Sequence, residues 1–199
     1  MGKVAITGAR LIDPACSLDT IGDIFLADGV ITAVGAGVFA SGIPDGAEHI
    51  EADGLIVCPG LIDMRVVTGE PGAEHKETIA SAGQAAAAGG VTSMVIMPNT
   101  DPVIDDISLV DYIRSRGKDS APVRVYVAGA LTKGLSSTAM TELGLMASAG
   151  AVMFSNADNP IADTGLMRRI MAYSSTFNAL IAHRPVDPSL QGGGCAHES

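Results

Sequence analysis

A chain of 199 residues with 47% hydrophobic residues can form one substantial domain, and it has no long apolar run of the kind that spans a membrane. Its net charge of −10 argues against a nucleic-acid partner, whose phosphates would repel it. The three cysteines are odd in number, which argues against a disulfide framework, and the first residues lack a signal-peptide pattern. We therefore expect a protein of the reducing cytoplasm.

The first part of the chain consists of short β-like runs separated by turn signals. Asp23-Ile24-Phe25-Leu26 and Val30-Ile31-Thr32-Ala33-Val34 flank the turn Ala27-Asp28-Gly29, a pattern typical of a hairpin. An earlier run occupies Val4-Ala5-Ile6. We predict that residues 1–58 are the N-terminal part of a small β-sandwich domain.

From Leu61 onward, strand-like and helix-like segments alternate, which predicts parallel βα units. We predict strands at residues 61–67, 92–97, 123–128, 151–154 and 179–182, and helices at 75–88, 107–116, 141–149 and 165–174. An eight-stranded α/β barrel typically needs about 250 residues. Residues 59–199 are therefore expected to be the N-terminal portion of such a barrel, about its first five βα units, truncated at Ser199. Because an open half barrel leaves apolar surface uncovered, we expect a homo-oligomer or a hetero-complex.

The strand that follows the Pro59-Gly60 turn carries charge inside an apolar run, at Asp63 and Arg65. Residues i and i+2 of a strand point to the same side, so Arg65 and Val67 share one face. Two histidines at these positions could bind one divalent ion. A guanidinium, which is always charged, offers no lone pair, and a valine has no donor atom. The residues therefore predict that a metal is either absent or held elsewhere.

Five blocks occur along the chain in a characteristic order. They are PGLIDMRVVTGEPG at 59 to 72, MPNTDP at 97 to 102, ALTKG at 130 to 134, AGAVMFSN at 149 to 156 and DPSLQGGG at 187 to 194. Together they resemble the dihydroorotases, cyclic amidohydrolases that interconvert carbamoyl aspartate and dihydroorotate in pyrimidine biosynthesis. The family's first strand reads DMHVHLREPG. The resemblance covers essentially the whole chain and implies an α/β fold, an amidohydrolase-type (β/α)8 barrel.

The resemblance places the family's metal ligands on residues that differ in this chain. The two first-strand histidines correspond to Arg65 and Val67, the metal-bridging aspartate to Asn156, and a later histidine to Arg184. Asn156 lacks the negative charge that a two-zinc site needs. His183 lies beside the last position and is kept as a candidate ligand. Four replaced metal positions imply a site that no longer binds zinc.

The family's substrate contacts are half preserved. In the family, an asparagine and an arginine contact the substrate carboxylate. The asparagine is kept as Asn99, a vestigial substrate contact, whereas Gly69 stands at the position of the arginine. The general base, an aspartate on the final barrel strand of the family, would follow Ser199. Active sites of α/β barrels lie at the carboxyl ends of strands. We therefore expect the singled-out positions to share one rim: Arg65, Val67, Asn99, Asn156 and Arg184.

These positions lead to competing functional predictions. Ring opening of a cyclic amide needs a water made nucleophilic at neutral pH, which zinc provides in the family. Arg65 and Arg184 would supply positive charge without ionising a water. We therefore predict no catalytic residue, no cofactor and a pseudoenzyme, similar to the non-catalytic members that scaffold aspartate transcarbamoylase.

The alternative is an active zinc-dependent dihydroorotase whose atypical metal site uses His183, His197 and acids beyond Ser199. A third, weaker alternative is a dihydropyrimidinase-type enzyme, which also needs the first-strand histidines.

Three of the polar residues also have purely structural interpretations. His75 is typical of a solvated face in the first turn of a helix. Asn99 could form a turn with Pro98. Arg65 could pair with Asp63 or with a buried acid as a structural ion pair. These alternatives stay open on the sequence alone.

Overall fold

The computed structural model describes residues 2–187, which divide into two compact units, one ending at Pro59 and one beginning at Gly60. Residues 188–199, including His197 and most of the DPSLQGGG block, lie outside the described residues. Within residues 2–187, no helix is long and apolar enough to cross a membrane.

The first unit is a single mixed sheet. Its strands are β1 (Lys3–Asp13), β2 (Leu18–Ala27), β3 (Val30–Gly35), β4 (Ala47–Glu51) and β5 (Ile56–Val57). The order is β3-β2-β1-β4, and β5 also pairs with β1. The β1–β2 and β2–β3 pairs are antiparallel, whereas β4 and β5 run parallel to β1. Asp28 and Gly29, both with positive φ, form the turn between β2 and β3.

The described residues up to Pro59 form one sheet, in which β1 is long and pairs with β2, β4 and β5. A β-sandwich has two packed sheets, so the prediction that residues 1–58 are the N-terminal part of such a domain stays a prediction. One face of the sheet holds a small core of Ala9, Leu11, Ile24 and Ala52.

The second unit alternates strands and helices, as predicted. Its elements are β6 (Leu61–Val66), α1 (Ile79–Ala88), β7 (Val91–Ile96), α2 (Ile107–Ser120), β8 (Arg124–Ala130), α3 (Leu143–Ala149), β9 (Ala151–Ser155), α4 (Thr164–Ser174) and β10 (Ile181–Ala182). The strands form one parallel sheet in the order β10-β9-β8-β7-β6. Sequential neighbours joined by helices are typical of part of an α/β barrel.

Capping residues set where the helices of this unit begin. Helix α1 starts at Ile79 and not at His75, because Thr78 and Ser81 form a capping box that satisfies the first turn. His75 lies in the turn before the helix, so its predicted place on a helical face is wrong. Asp106 and Asp163 cap α2 and α4 through their carboxylates.

The parallel sheet has two different faces. The helix-facing side packs against α1 to α4 in a large core that includes Met94, Ile96, Val127 and Phe154. The opposite side carries a smaller apolar group, formed by Val95, Met97, Ala128, Met153 and Ala157. Alternation along each strand explains the division, since neighbouring residues point to opposite faces. Three members of the smaller group, Met97, Met153 and Ala157, line the candidate site.

Candidate functional site

Two arginines, one at each edge strand of the parallel sheet, lie close to the same carboxylate. Arg65 lies near the carboxyl end of β6, and Arg184 follows β10. The Arg65 guanidinium donates to Oδ1 of Asp158 at 2.6 Å, and Arg184 Nη1 lies 3.9 Å from the same oxygen. With strands about 4.8 Å apart, a flat sheet would separate its edges by about 19 Å. The sheet must therefore curl, which brings both arginines to the rim formed by the carboxyl ends of its strands.

A cavity of about 510 Å³, here called the rim cavity, opens at this point. Its polar lining comes from Arg65, Ser155, Asp158, His183 and Arg184. Its apolar lining comes from Met64, Met97, Met153, Ala157 and Ala182. The cavity therefore combines a hydrophobic floor with one carboxylate and two guanidinium groups.

An irregularity in β6 turns Arg65 toward the cavity. Asp63 pairs with Met94 and Val66 with Ile96, so two residues of β6 lie opposite the single residue between those partners. Such a bulge re-aims side chains, and both residues at the bulge, Met64 and Arg65, line the rim cavity. Val67 lies past the strand, is about half exposed and does not line the cavity.

The ion pair of Arg65 differs from the structural alternative considered from the sequence. Asp63 accepts a hydrogen bond from the backbone N–H of Arg65 at 2.9 Å. The Arg65 guanidinium pairs instead with Asp158, whose side chain is 61% exposed. The partner is therefore neither Asp63 nor a buried acid. Within residues 2–187, both side chains of this pair are exposed to solvent.

Asn156 is part of the structural framework. Its side chain is 1% exposed, and its Oδ1 accepts from the Thr132 backbone N–H at 3.0 Å. Its Nδ2 donates to Thr132 Oγ1 at 2.8 Å and to Ser137 Oγ at 3.3 Å. These bonds tie the loop after β9 to the loop after β8. An amide that gives its oxygen and nitrogen to protein partners is poorly placed to hold a metal ion.

Two buried polar atoms near the strand ends have no hydrogen-bond partner among the described residues: His183 Nδ1 and Asn99 Oδ1. An unsatisfied buried polar atom is costly, so each is a candidate ligand contact. His183 lines the rim cavity, whereas Asn99 does not. Burial also lowers the pKa of His183, which favours the neutral imidazole.

The donor atoms of the rim do not fit a zinc site. Zinc in catalytic sites takes three protein ligands drawn from His, Cys, Asp and Glu. Among residues 2–187, no group of three such side chains is placed to hold a metal ion. Among the described residues, the rim cavity is lined by one imidazole and one carboxylate, and that carboxylate is already bound to Arg65.

A second arginine–carboxylate pair lies elsewhere in this unit. The Glu70 side chain is 3% exposed and accepts from Arg116 Nε at 2.7 Å, from the Tyr112 hydroxyl at 3.3 Å and from the Ile79 backbone N–H at 2.9 Å. The pKa of Tyr112 is raised, first by burial and then by the charge of Glu70. The pair anchors α1 and α2 to the segment after β6.

Sequence reasoning missed both carboxylates of these pairs. Asp158 lies two residues beyond Asn156 in FSNAD, and an acid that close to a position predicted to be a replaced metal ligand was the available signal. Glu70 stands inside the EPG motif, but nothing local indicates that it is buried. Both pairs join residues at least 46 positions apart, so only the tertiary structure reveals them.

Solved structures with the same architecture define the class of fold. The L-hydantoinase (dihydropyrimidinase) of Arthrobacter aurescens superposes with a TM-score of 0.75 at 22% identity, over 91% of this chain and 40% of that one. The D-hydantoinase (dihydropyrimidinase) of a Thermus species gives a TM-score of 0.68 at 22% identity, over 89% and 39%. Identities this low show the fold alone. The parallel sheet and its helices correspond to part of an amidohydrolase-type barrel.

Sequence comparisons identify the family within that class. Residues 54–199 match the family model described as dihydro-orotase-like. The protein named dihydroorotase in Citrifermentans bemidjiense is 41% identical over 196 residues, covering 98% of this chain and 46% of that protein. The one in Solibacter usitatus is 41% identical over 195 residues, covering 98% and 44%. The chain belongs to the dihydroorotase-like family, as predicted, and spans under half the length of these relatives.

Proposed function

We propose that this chain belongs to a dihydroorotase-like protein of pyrimidine biosynthesis that has lost its metal site and acts as a scaffold for aspartate transcarbamoylase. The observation that carries the proposal is the sharing of Asp158 by Arg65 and Arg184. These two arginines stand at positions that correspond to histidine ligands in the family. Guanidinium groups cannot bind a cation, and their charge opposes one.

The buried network around Asn156 supports the same proposal. The corresponding aspartate bridges metals in the family, whereas this amide bonds to Thr132 and Ser137. Ring opening requires a water that is ionised near neutral pH, and an arginine stabilises charge without lowering a water's pKa as zinc does. A retained family fold combined with a replaced donor set supports the scaffold role. The aspartate transcarbamoylase partner rests on the family resemblance.

The scaffold proposal is tested with the full-length protein. We expect no hydrolysis of dihydroorotate, but co-elution with aspartate transcarbamoylase in size-exclusion chromatography and a change in transcarbamoylase activity. An unrelated acidic protein at the same concentration serves as the control. Transcarbamoylase that elutes and reacts identically with and without the protein would refute the scaffold role. Measured ring opening of dihydroorotate would refute the loss of activity.

One observation favours the second candidate, an active zinc-dependent dihydroorotase with an atypical metal site. His183 Nδ1 is buried, lacks a partner and belongs to a residue that lines the rim cavity. In that case His183 would act as a ligand together with residues outside the described part of the chain. His183→Ala would then abolish both stoichiometric zinc and ring opening. Under the pseudoenzyme proposal, the substitution changes neither.

A further inference from the structure

We propose that the rim cavity is a binding site for a small organic carboxylate, held by Arg65 and Arg184. The inference rests on the proposed function, because zinc in the cavity would occupy the same space. It goes further by assigning a ligand class to the site.

The charges of the rim cavity favour an anion. Its lining from residues 2–187 contains two guanidinium groups and one carboxylate, so this lining carries an excess positive charge within a chain of net charge −10. Asp158 contacts Arg65 at 2.6 Å but lies 3.9 Å from Arg184. Arg184 is thus only loosely paired with this acid. A second carboxylate could accept hydrogen bonds from Arg184 without first breaking a close ion pair.

The geometry of the existing pair indicates which anion fits. Arg65 already binds a carboxylate, that of Asp158, so its guanidinium is placed to donate to this planar group. Asp158 is exposed and lies in the loop after β9, where an incoming carboxylate can compete with it for the arginines. Asp158 therefore acts as an internal competitor that a ligand displaces.

The shape of the cavity favours an organic acid over a bare inorganic ion. Its volume of about 510 Å³ lies within the roughly 300–1,000 Å³ of small-molecule sites. Met64, Met97 and Met153 form its apolar floor. Methionine side chains adapt to aliphatic groups. A short carbon chain attached to the carboxylate would cover this floor.

His183 supplies an additional contact. Its Nδ1 is buried without a hydrogen-bond partner among the described residues, and its side chain lines the cavity together with the two arginines. A neutral imidazole carries one N–H that can donate to a carboxylate oxygen. Ligand binding would satisfy an atom that is otherwise left without a hydrogen bond.

The experiment measures binding of succinate and of inorganic phosphate to the full-length protein by isothermal titration calorimetry. Zinc content is determined on the same sample. We expect saturable succinate binding that Arg65→Gln and Arg184→Gln each weaken by about tenfold or more. Asp158→Asn removes the internal competitor and should strengthen binding by about tenfold. Arg124→Gln is the matched control, since it removes the same charge at the amino end of β8 and should leave binding unchanged.

The opposite directions of these effects separate a binding role from a structural one. If the ion pair only stabilises the rim, Arg65→Gln and Asp158→Asn will change binding in the same direction, and the proposal fails. Phosphate binding without succinate binding overturns the assignment of an organic carboxylate. A protein without zinc that binds neither anion overturns this inference alone. Stoichiometric zinc overturns the proposed function and the inference together.

Discussion

Two arginine–carboxylate pairs in the second unit differ in the exposure of the carboxylate and in the hydrogen bonds that it accepts. Glu70 is 3% exposed and receives hydrogen bonds from Arg116, Tyr112 and the Ile79 backbone. Asp158 is 61% exposed, contacts Arg65 closely and Arg184 loosely. The first acid is fully satisfied and joins two helices, which makes it structural. The second is exposed and pairs closely with Arg65 but not with Arg184, as the proposed carboxylate site requires.

Removing the buried acid should have the largest effect on stability. Glu70→Ala leaves the backbone N–H of Ile79 without its acceptor and removes the anchor of α2, so the free energy of unfolding should fall by about 3 kcal/mol. Urea unfolding at pH 7 measures the change. Asp19→Ala, which breaks an exposed pair with Arg10, is the control and should have little effect. Equal losses in the two variants would contradict a structural role specific to Glu70.

Removal of the buried amide of Asn156 should have the second largest effect on stability. Asn156→Ala removes the hydrogen bonds to Thr132 and Ser137, and we expect a loss of about 2 kcal/mol in the free energy of unfolding. Asn159→Ala, which removes one long hydrogen bond to the Leu135 carbonyl, is a neighbouring control with a smaller expected loss. A stability unchanged by Asn156→Ala would show that this amide is free to serve a ligand.

Helix α2 carries Arg116, the partner of Glu70. A substitution of its cap, Asp106, measures the stability of the helix without removing that ion pair. Asp106→Ala should cost about 1 kcal/mol, whereas Asp106→Asn should retain most of the cap. Hydrogen bonds from the Ser108 hydroxyl and the Leu109 N–H lower the pKa of Asp106. Since the unfolded pKa is near 3.9, the cap's contribution should be constant above about pH 5 and fade as the pH falls below about 4. A cost independent of pH would mean that the carboxylate charge has no role.

Changes at the exposed pair should have the smallest effect on stability. Arg65→Gln and Asp158→Asn should each alter the free energy of unfolding by less than about 1 kcal/mol, because both side chains are solvated. Thermal unfolding followed by circular dichroism measures this. A loss as large as that of Glu70→Ala would remove the distinction between the two pairs.

The sequence predicted the repeating architecture of the second unit but not the contacts that define its site. Alternating apolar segments indicated all five parallel strands, because each strand and helix carries its own local pattern. The start of α1 was misplaced at His75, since a capping box at Thr78 overrode the helical pattern. Asp158 was missed because its partners lie 93 residues before it and 26 after it, on strands that meet only when the sheet curls.

The family resemblance and the structure give different information about the site. The resemblance singled out Arg65, Asn156 and Arg184 as replaced ligands, and the structure places the two arginines on one carboxylate while Asn156 joins two loops. The predicted vestigial role of Asn99 stays a prediction. Its buried Oδ1 lacks a hydrogen-bond partner within residues 2–187, but Asn99 does not line the rim cavity.

Loss of the metal site is tested by the zinc content of the purified full-length protein after incubation with excess zinc and desalting. We expect less than stoichiometric zinc, both in the unaltered protein and in Arg65→His with Val67→His, since Asn156 and Arg184 are also predicted to be replaced ligands. About two zinc ions bound per unaltered chain would contradict the loss of the metal site. Zinc gained only by the double variant would show that Asn156 and Arg184 are wrongly matched to metal positions.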